Sequence, residues 1–343
     1  MTLEKLKRLG IKLPLLPTTT VGSFPKPQYL LDARKKFAAK QLSASELRKL
    51  EEKATREWMT IQEEIGLDVL VDGEMYRGDM AAYFGENLDG FKTSGLVRSY
   101  GNRYYRKPII AGEVQWRGPI TVGWWKFAQE LTKKPVKGMV TGPYTMMDWS
   151  FNEHYPSRRD VCLAMARALH KEVKALADAG AKIIQVDEPA ISARPEELPE
   201  FAIEAMEIVT KGVDAYFLTH ICYGAFEFIY PKMLELSVDN FDLETSNSEL
   251  DLVELFRKHP FTNDISFGVV DVHSHVVEDA ALVEKRIQKA LEVLKPEQLW
   301  IDPDCGLKTR THEESVSKLK IMVKTTEDVR TQLEGGKTGG IRK

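Results

Sequence analysis

Eight short runs rich in apolar and β-branched residues recur along this chain, separated by stretches with helical periodicity. That alternation restricts the fold more than any other feature. In order the runs are "TTTVGSF" (18–24), "LDVLVDGE" (67–74), "VKGMVTGP" (136–143), "KIIQVDEP" (182–189), "AYFLTHIC" (215–222), "NFDLETS" (240–246), "ISFGVVDVH" (265–273) and "LWIDPDC" (299–305). The segments between them carry helix signals. "SASELRKLEEKATREWMTIQEEIG" opens with Ser43 three residues ahead of Glu46, a capping-box pattern. "SRRDVCLAMARALHKEVKALADAG" starts from Ser157 and stops at Gly180. Strands alternating with helices imply a parallel sheet, and eight such units imply closure, so the predicted fold class is α/β, a TIM (β/α)8 barrel. A doubly wound open sheet is the alternative, weakened because no G-x-G-x-x-G follows the first strand.

At 343 residues the chain suits one barrel, predicted over 1–334, with an insertion after the second strand. The insertion is placed at 75–135, where "GNRYYRKPIIAGEVQW" alternates like a hairpin and "WWKF" follows; it is read as lying over the barrel mouth. The Gly- and Lys-rich residues 335–343 are expected to be a disordered tail.

Composition narrows the partners. With 43% hydrophobic and 29% charged residues the chain reads as an ordinary globular protein. A net charge of −3 offers no basic excess for nucleic acid. Cys162, Cys222 and Cys305 are too few and scattered for a disulfide framework, which favours a reducing, cytoplasmic setting. No run approaches the ~18 consecutive apolar residues of a membrane span. The first twenty residues lack a small-residue cleavage site, so neither a signal peptide nor a membrane partner is expected.

The runs end on polar or small residues: Gly22 and Ser23, Glu74, Asp187 and Glu188, His220 and Cys222, Glu244, Asp271 and His273, Cys305. In a parallel barrel these ends converge on one face, where sites are built. On a strand, residues i and i+2 point the same way, so His220 and Cys222 of "THICYGAF" can share one cation. Taken alone, the pair reads equally as a buried cysteine beside a satisfied histidine. Glu244 and Cys305 end other strands on the same predicted face, and one His, two Cys and one Glu suit tetrahedral zinc. Two thiolates and a carboxylate leave Zn2+ formally at −1. Such an ion activates water poorly but keeps an added thiolate electron-rich, which points to alkylation of a thiol. Lowering a thiol pKa from ~8.5 to ~6.5 yields only a few-fold net gain once nucleophilicity falls with basicity, so the ion must also act by orientation.

At these residues the chain resembles the catalytic C-terminal half of the cobalamin-independent methionine synthase family. The matching stretches are "LPTTTVGSFPKP", "DVLVDGEMYRGDMAAYFGE", "TGPYTMMDWSF", "IIQVDEPA", "THICYGAF", "FDLETSNSE", "VVDVHSH" and "DPDCGLKTR". The resemblance implies zinc on His220, Cys222, Glu244 and Cys305, activating L-homocysteine for S-methylation. It implies that Val21, Gly22 and Ser23 hold the homocysteine carboxylate, and that Glu74 and Asp187 receive its ammonium. His273 matches a proton donor, Trp149 a residue that stacks on the folate pterin, and Arg103 a folate-contacting position. Departures bear on the donor. The N-terminal half that helps bind the folate tail is missing, Tyr104 replaces a cysteine, and Ala193 stands where an acid occurs. Short relatives of this kind are associated with methylcorrinoids, so methylcobalamin or a methylated corrinoid protein is the expected donor, with methyltetrahydrofolate as the alternative. A corrinoid leaving group needs no proton, which puts the acid role of His273 in question.

Two rivals remain at this point. "HSH" (273–275) resembles the H-x-H of metal-dependent hydrolase barrels, although it closes the seventh strand instead of the first. A zinc that merely staples a binding module is the non-catalytic reading.

Overall fold

The structure is a computed structural model that describes residues 2–98, 104–222, 226–246 and 251–338. Its strands are β1 (Leu88–Arg98), β2 (Tyr104–Trp116), β3 (Gly138–Thr141), β4 (Phe151–Asn152), β5 (Ile183–Asp187), β6 (Tyr216–Ile221), β7 (Asn240–Leu243), β8 (Asp264–Val270) and β9 (Leu299–Pro303). Six of them form one sheet in the order β3-β5-β6-β7-β8-β9. The β3–β5, β5–β6 and β8–β9 pairs are parallel. These are six of the eight predicted runs.

The other two runs, 18–24 and 67–74, appear as isolated parallel bridges, Thr18 with Ile301, Ser23 with Gly73 and Leu70 with Val136. Side chains interrupt their ladders. Asp68 accepts from the Thr18 amide and hydroxyl at 2.8 Å each, and the chain turns left-handed at Gly73 and Glu74 (φ 77 and 59). With β9 leading to Thr18 and Val136 leading to β3, the eight segments are the strands of a (β/α)8 barrel.

Contacts divide the chain into two compact units. The first comprises Met1–Met75, Ala128–Val136 and Asp242–Lys343. Its helix Ala44–Ile65 begins in the expected capping box, with Ser43 accepting from the Glu46 amide at 3.2 Å and Glu46 accepting from the Ser43 amide at 2.9 Å. It ends at Gly66 with φ 92, a conformation that glycine adopts without a Cβ penalty. The closing helix His312–Thr338 packs on Ala44–Ile65 and β9. Residues 335–338 lie within this helix, and 339–343 lie outside the described residues.

The second unit comprises Tyr76–Phe127 and Lys137–Phe241. Most of the insertion lies here, as the helix Met80–Asn87, the antiparallel β1–β2 ribbon and the start of helix Val122–Gln129. The ribbon packs on helix Arg158–Asp178, which Ser157 caps by accepting from the Asp160 amide. One buried carboxylate on that helix anchors the insertion. Glu172, fully buried, accepts from Trp116 Nε1 at 2.8 Å, the Ile120 amide at 2.9 Å, the Thr121 amide at 2.7 Å and the Thr121 hydroxyl at 2.9 Å. Removing this acceptor strands several buried donors at once. Glu172→Ala is expected to lower stability by about 3 kcal/mol or more in urea denaturation, whereas Glu204→Ala, at an exposed position of helix Ile203–Thr210, shifts it by about 0.5 kcal/mol or less.

Candidate metal centre and strand-end site

His220 lies in β6, Cys222 just beyond it and Cys305 just beyond β9. His220 and Cys222 are buried and Cys305 is half-buried. Their ligand atoms all lie within 4.8 Å of one another, the distance scale of a shared cation. Zinc bonds of about 2.0–2.3 Å place tetrahedral donors roughly 3.3–3.8 Å apart, so only a small inward movement is needed. One imidazole nitrogen with two sulfurs is a borderline-soft set that fits zinc. Cys162 is different: burial pushes its thiol well up, as suits an inert packing cysteine.

Glu244, the expected fourth donor, stands outside this 4.8 Å group. Its Oε1 lies 3.2 Å from His273 Nε2 instead. The loop after β8 brings the histidine there. Asp271 accepts from the His273 amide at 2.7 Å and the Ser274 amide at 3.3 Å, making a tight turn. Glu278 accepts from the Asp271 amide at 2.7 Å and is itself held by Lys318 at 2.9 Å. The Asp271–His273 link is therefore a backbone turn that leaves the ring to Glu244. His275 points to Glu314, 2.9 Å from its Nδ1. The two histidines of "HSH" thus serve different carboxylates, and neither belongs to the His220 group. That removes the basis for the hydrolase reading.

Two buried carboxylates that sequence reasoning left without roles brace the strand ends. Asp304, next to Cys305, accepts from the Thr245 amide at 3.0 Å, the Ser246 amide at 2.8 Å and the Ser246 hydroxyl. It ties the segment after Glu244 to the segment carrying Cys305. A Cβ at residue 268 would sit 2.2 Å from Asp304 Oδ1, so this approach requires Gly268. Burial outweighs those bonds and pushes Asp304 up to about 7. Glu188 plays the matching part in the other unit. It accepts from the Tyr144 amide at 3.0 Å, the Thr145 amide at 2.7 Å and the Thr145 hydroxyl at 2.7 Å, capping the helix Pro143–Asp148. The doubled acids of "VDEPA" and "DPDC" were the available signal, since a lone substrate-facing acid needs no such neighbour.

The residues expected to face substrate take these positions. Val21, Gly22 and Ser23 are buried; Ser23 O accepts from the Leu307 amide at 2.8 Å, and a Cβ on Gly306 would meet Ser23 Oγ at 2.1 Å. The turn is therefore packed against the segment following Cys305. Glu74 is half-buried at φ 59, with its amide bonded to Asp72 at 2.9 Å. A non-glycine residue in this region stores strain of the kind that collects at functional sites. Asp187 ends β5, is 4% exposed, and accepts from Gln185 Nε2 at 2.7 Å. Trp149 ends the helix Pro143–Asp148 and is half-buried. Arg103 lies outside the described residues, and the neighbouring Tyr104 is 64% exposed.

The fold and site are those of a parallel barrel with a His/Cys/Cys group at its strand ends that could hold a metal ion. Residues 16–328 match the family model described as the catalytic domain of cobalamin-independent synthase, and the chain belongs to that family. It is 43% identical over 337 residues to a 5-methyltetrahydropteroyltriglutamate–homocysteine methyltransferase of Haemophilus influenzae, covering 94% of this chain and 44% of that protein. The chain thus spans less than half the length of such relatives. A methionine synthase of Saccharolobus solfataricus is 40% identical over 326 residues and is covered to 97%. The structure of a B12-independent methionine synthase from Shewanella sp. W3-18-1 in complex with selenomethionine superposes with a TM-score of 0.83 at 28% identity, over 94% of this chain and 99% of that one. No described helix is long and apolar enough to cross a membrane.

The family model is described as a cobalamin-independent synthase and the long relatives are named for a methyltetrahydropteroyl donor, which favours the folate alternative over the expected methylcobalamin or methylated corrinoid protein. The corrinoid expectation rested on the match to only the C-terminal half of the family pattern and on Tyr104 and Ala193.

Burial pushes Glu188 up to about 7, while three hydrogen bonds pull the other way. With a folded value above the ordinary 4.5, the folded chain holds this proton longer than the unfolded chain. Its contribution to stability is therefore full below about pH 4.5 and is lost as pH rises through about 7. The stability of the wild type relative to Glu188→Gln is expected to fall between about pH 4.5 and 7 and to level off above, as read by denaturation across that range.

Proposed function

We propose that this chain is a zinc-dependent methionine synthase that methylates the thiol of L-homocysteine, with a 5-methyltetrahydropteroyl polyglutamate as donor. The observation that carries this reading is the gathering of His220, Cys222 and Cys305 within 4.8 Å in a chain of this family. When bound there, zinc supplies a Lewis-acidic centre that holds a substrate thiol as an electron-rich thiolate. Glu244 is the exchangeable fourth donor, since its carboxylate already has a partner in His273.

The chain's own residues position the two substrates. Backbone amides of Val21, Gly22 and Ser23 receive the homocysteine carboxylate, and the turn is kept rigid by its packing against Gly306. Glu74 and Asp187 receive the ammonium. Trp149 offers an aromatic face to the pterin. Methyl transfer breaks the bond between the donor's N5 and its methyl group and makes a sulfur–methyl bond. The departing amine nitrogen then requires a proton. A folate donor therefore restores the acid role of His273, whose ring is oriented by Glu244 and whose backbone is fixed by Asp271. Holding both reactants in line supplies the larger share of the rate.

Incubating the zinc-loaded protein with homocysteine and each donor separately tests the donor. Methionine is expected from methyltetrahydropteroyltriglutamate and not from methylcobalamin; the reverse result overturns the donor. Cys305→Ser is expected to lose zinc and turnover while its circular dichroism stays native. Global unfolding of that variant would instead mark a structural zinc. His273→Asn is expected to lower kcat by about 100-fold with little change in KM for homocysteine.

A further inference from the structure

Lys137 is a lysine inside an apolar strand run, "VKGMV", and only 1% of it is exposed. Its Nζ donates to Gln185 Oε1 at 2.5 Å, and Gln185 Nε2 donates to Asp187 Oδ1 at 2.7 Å. Gln185 is fully buried. The register explains the alignment. Met139 pairs with Gln185 and Thr141 with Asp187, so residues 137, 139 and 141 share a face with 183, 185 and 187.

The chemistry of the three groups leaves one arrangement. A lysine ammonium only donates, a carboxylate only accepts, and a primary amide does each at opposite ends. Lys137 therefore fixes which way the Gln185 amide faces, and the amide presents its NH2 to Asp187. The amide holds one oxygen of Asp187 in place with a neutral donor.

We propose that Lys137, acting through Gln185, is a positioning residue that sets the affinity and selectivity of the site for the α-ammonium of homocysteine. This rests on the role of Asp187 in the proposed function. A lysine buried in this run is otherwise costly, and the relay gives it a purpose that packing alone would not require.

The test compares homocysteine with γ-mercaptobutyrate, which keeps the thiol and carboxylate but lacks the amine. Lys137→Met removes the buried donor that holds the Gln185 amide oxygen and so loosens the amide that positions Asp187. Gln185→Glu keeps an acceptor for Lys137 but sets a second carboxylate beside Asp187. Each variant is expected to raise KM for homocysteine by about tenfold or more, with kcat within about twofold, and to leave KM for γ-mercaptobutyrate within about twofold. Calorimetric binding of homocysteine to the zinc-loaded variants should weaken by the same factor. If Lys137→Met does not fold, Gln185→Glu carries the test alone. A lower melting temperature with unchanged selectivity would show a purely structural lysine and overturn the proposal. A wild type that does not prefer homocysteine over γ-mercaptobutyrate would sink the Asp187 assignment itself, a result distinct from a preference that survives both variants.

Discussion

Where a parallel strand ends, backbone amides of the following loop lose their sheet partners, and in this chain buried carboxylates take them up. Glu188 collects the amides of Tyr144 and Thr145, and Asp304 those of Thr245 and Ser246. Both acids are deeply buried, and neither would be tolerated there without its donors. The candidate site residues adjoin this bracing. Cys305 is the next residue after Asp304, Asp187 precedes Glu188, and the Glu188 amide itself donates to His220 O at 2.9 Å. A site built on loops alone would lack the fixed backbone that a cation with short bonds demands.

Much of this was legible in the residues. All eight strand runs correspond to strands of the six-stranded sheet or to parallel bridges, because β-branched runs bounded by polar ends carry a strong local signal. The H-x-C spacing of 220 and 222 put both donors on one side of a strand, and Cys305 joined them once the strands were in place. The segments 18–24 and 67–74 make bridges and not ladders, because the Asp68 carboxylate takes the Thr18 amide that a strand would use. No local pattern marks that competition.

What stayed hidden depends on direction. A sequence shows that acids stand at strand ends, but not which turns inward toward backbone amides and which toward a ligand. Glu188 is therefore indistinguishable from Asp187 in the sequence alone. Glu244 was read only as a metal donor, although the loop closed by Asp271 and Glu278 delivers His273 to it.

The claim beneath the rest is that three side chains from distant parts of the chain form one sulfur-rich cation site. X-ray absorption at the zinc edge, on protein loaded with one equivalent of metal, reads that site directly. The account predicts a four-coordinate zinc with two sulfur neighbours at about 2.3 Å and lighter atoms at about 2.0–2.2 Å. A zinc surrounded only by nitrogen and oxygen, or protein that takes up none, would contradict it.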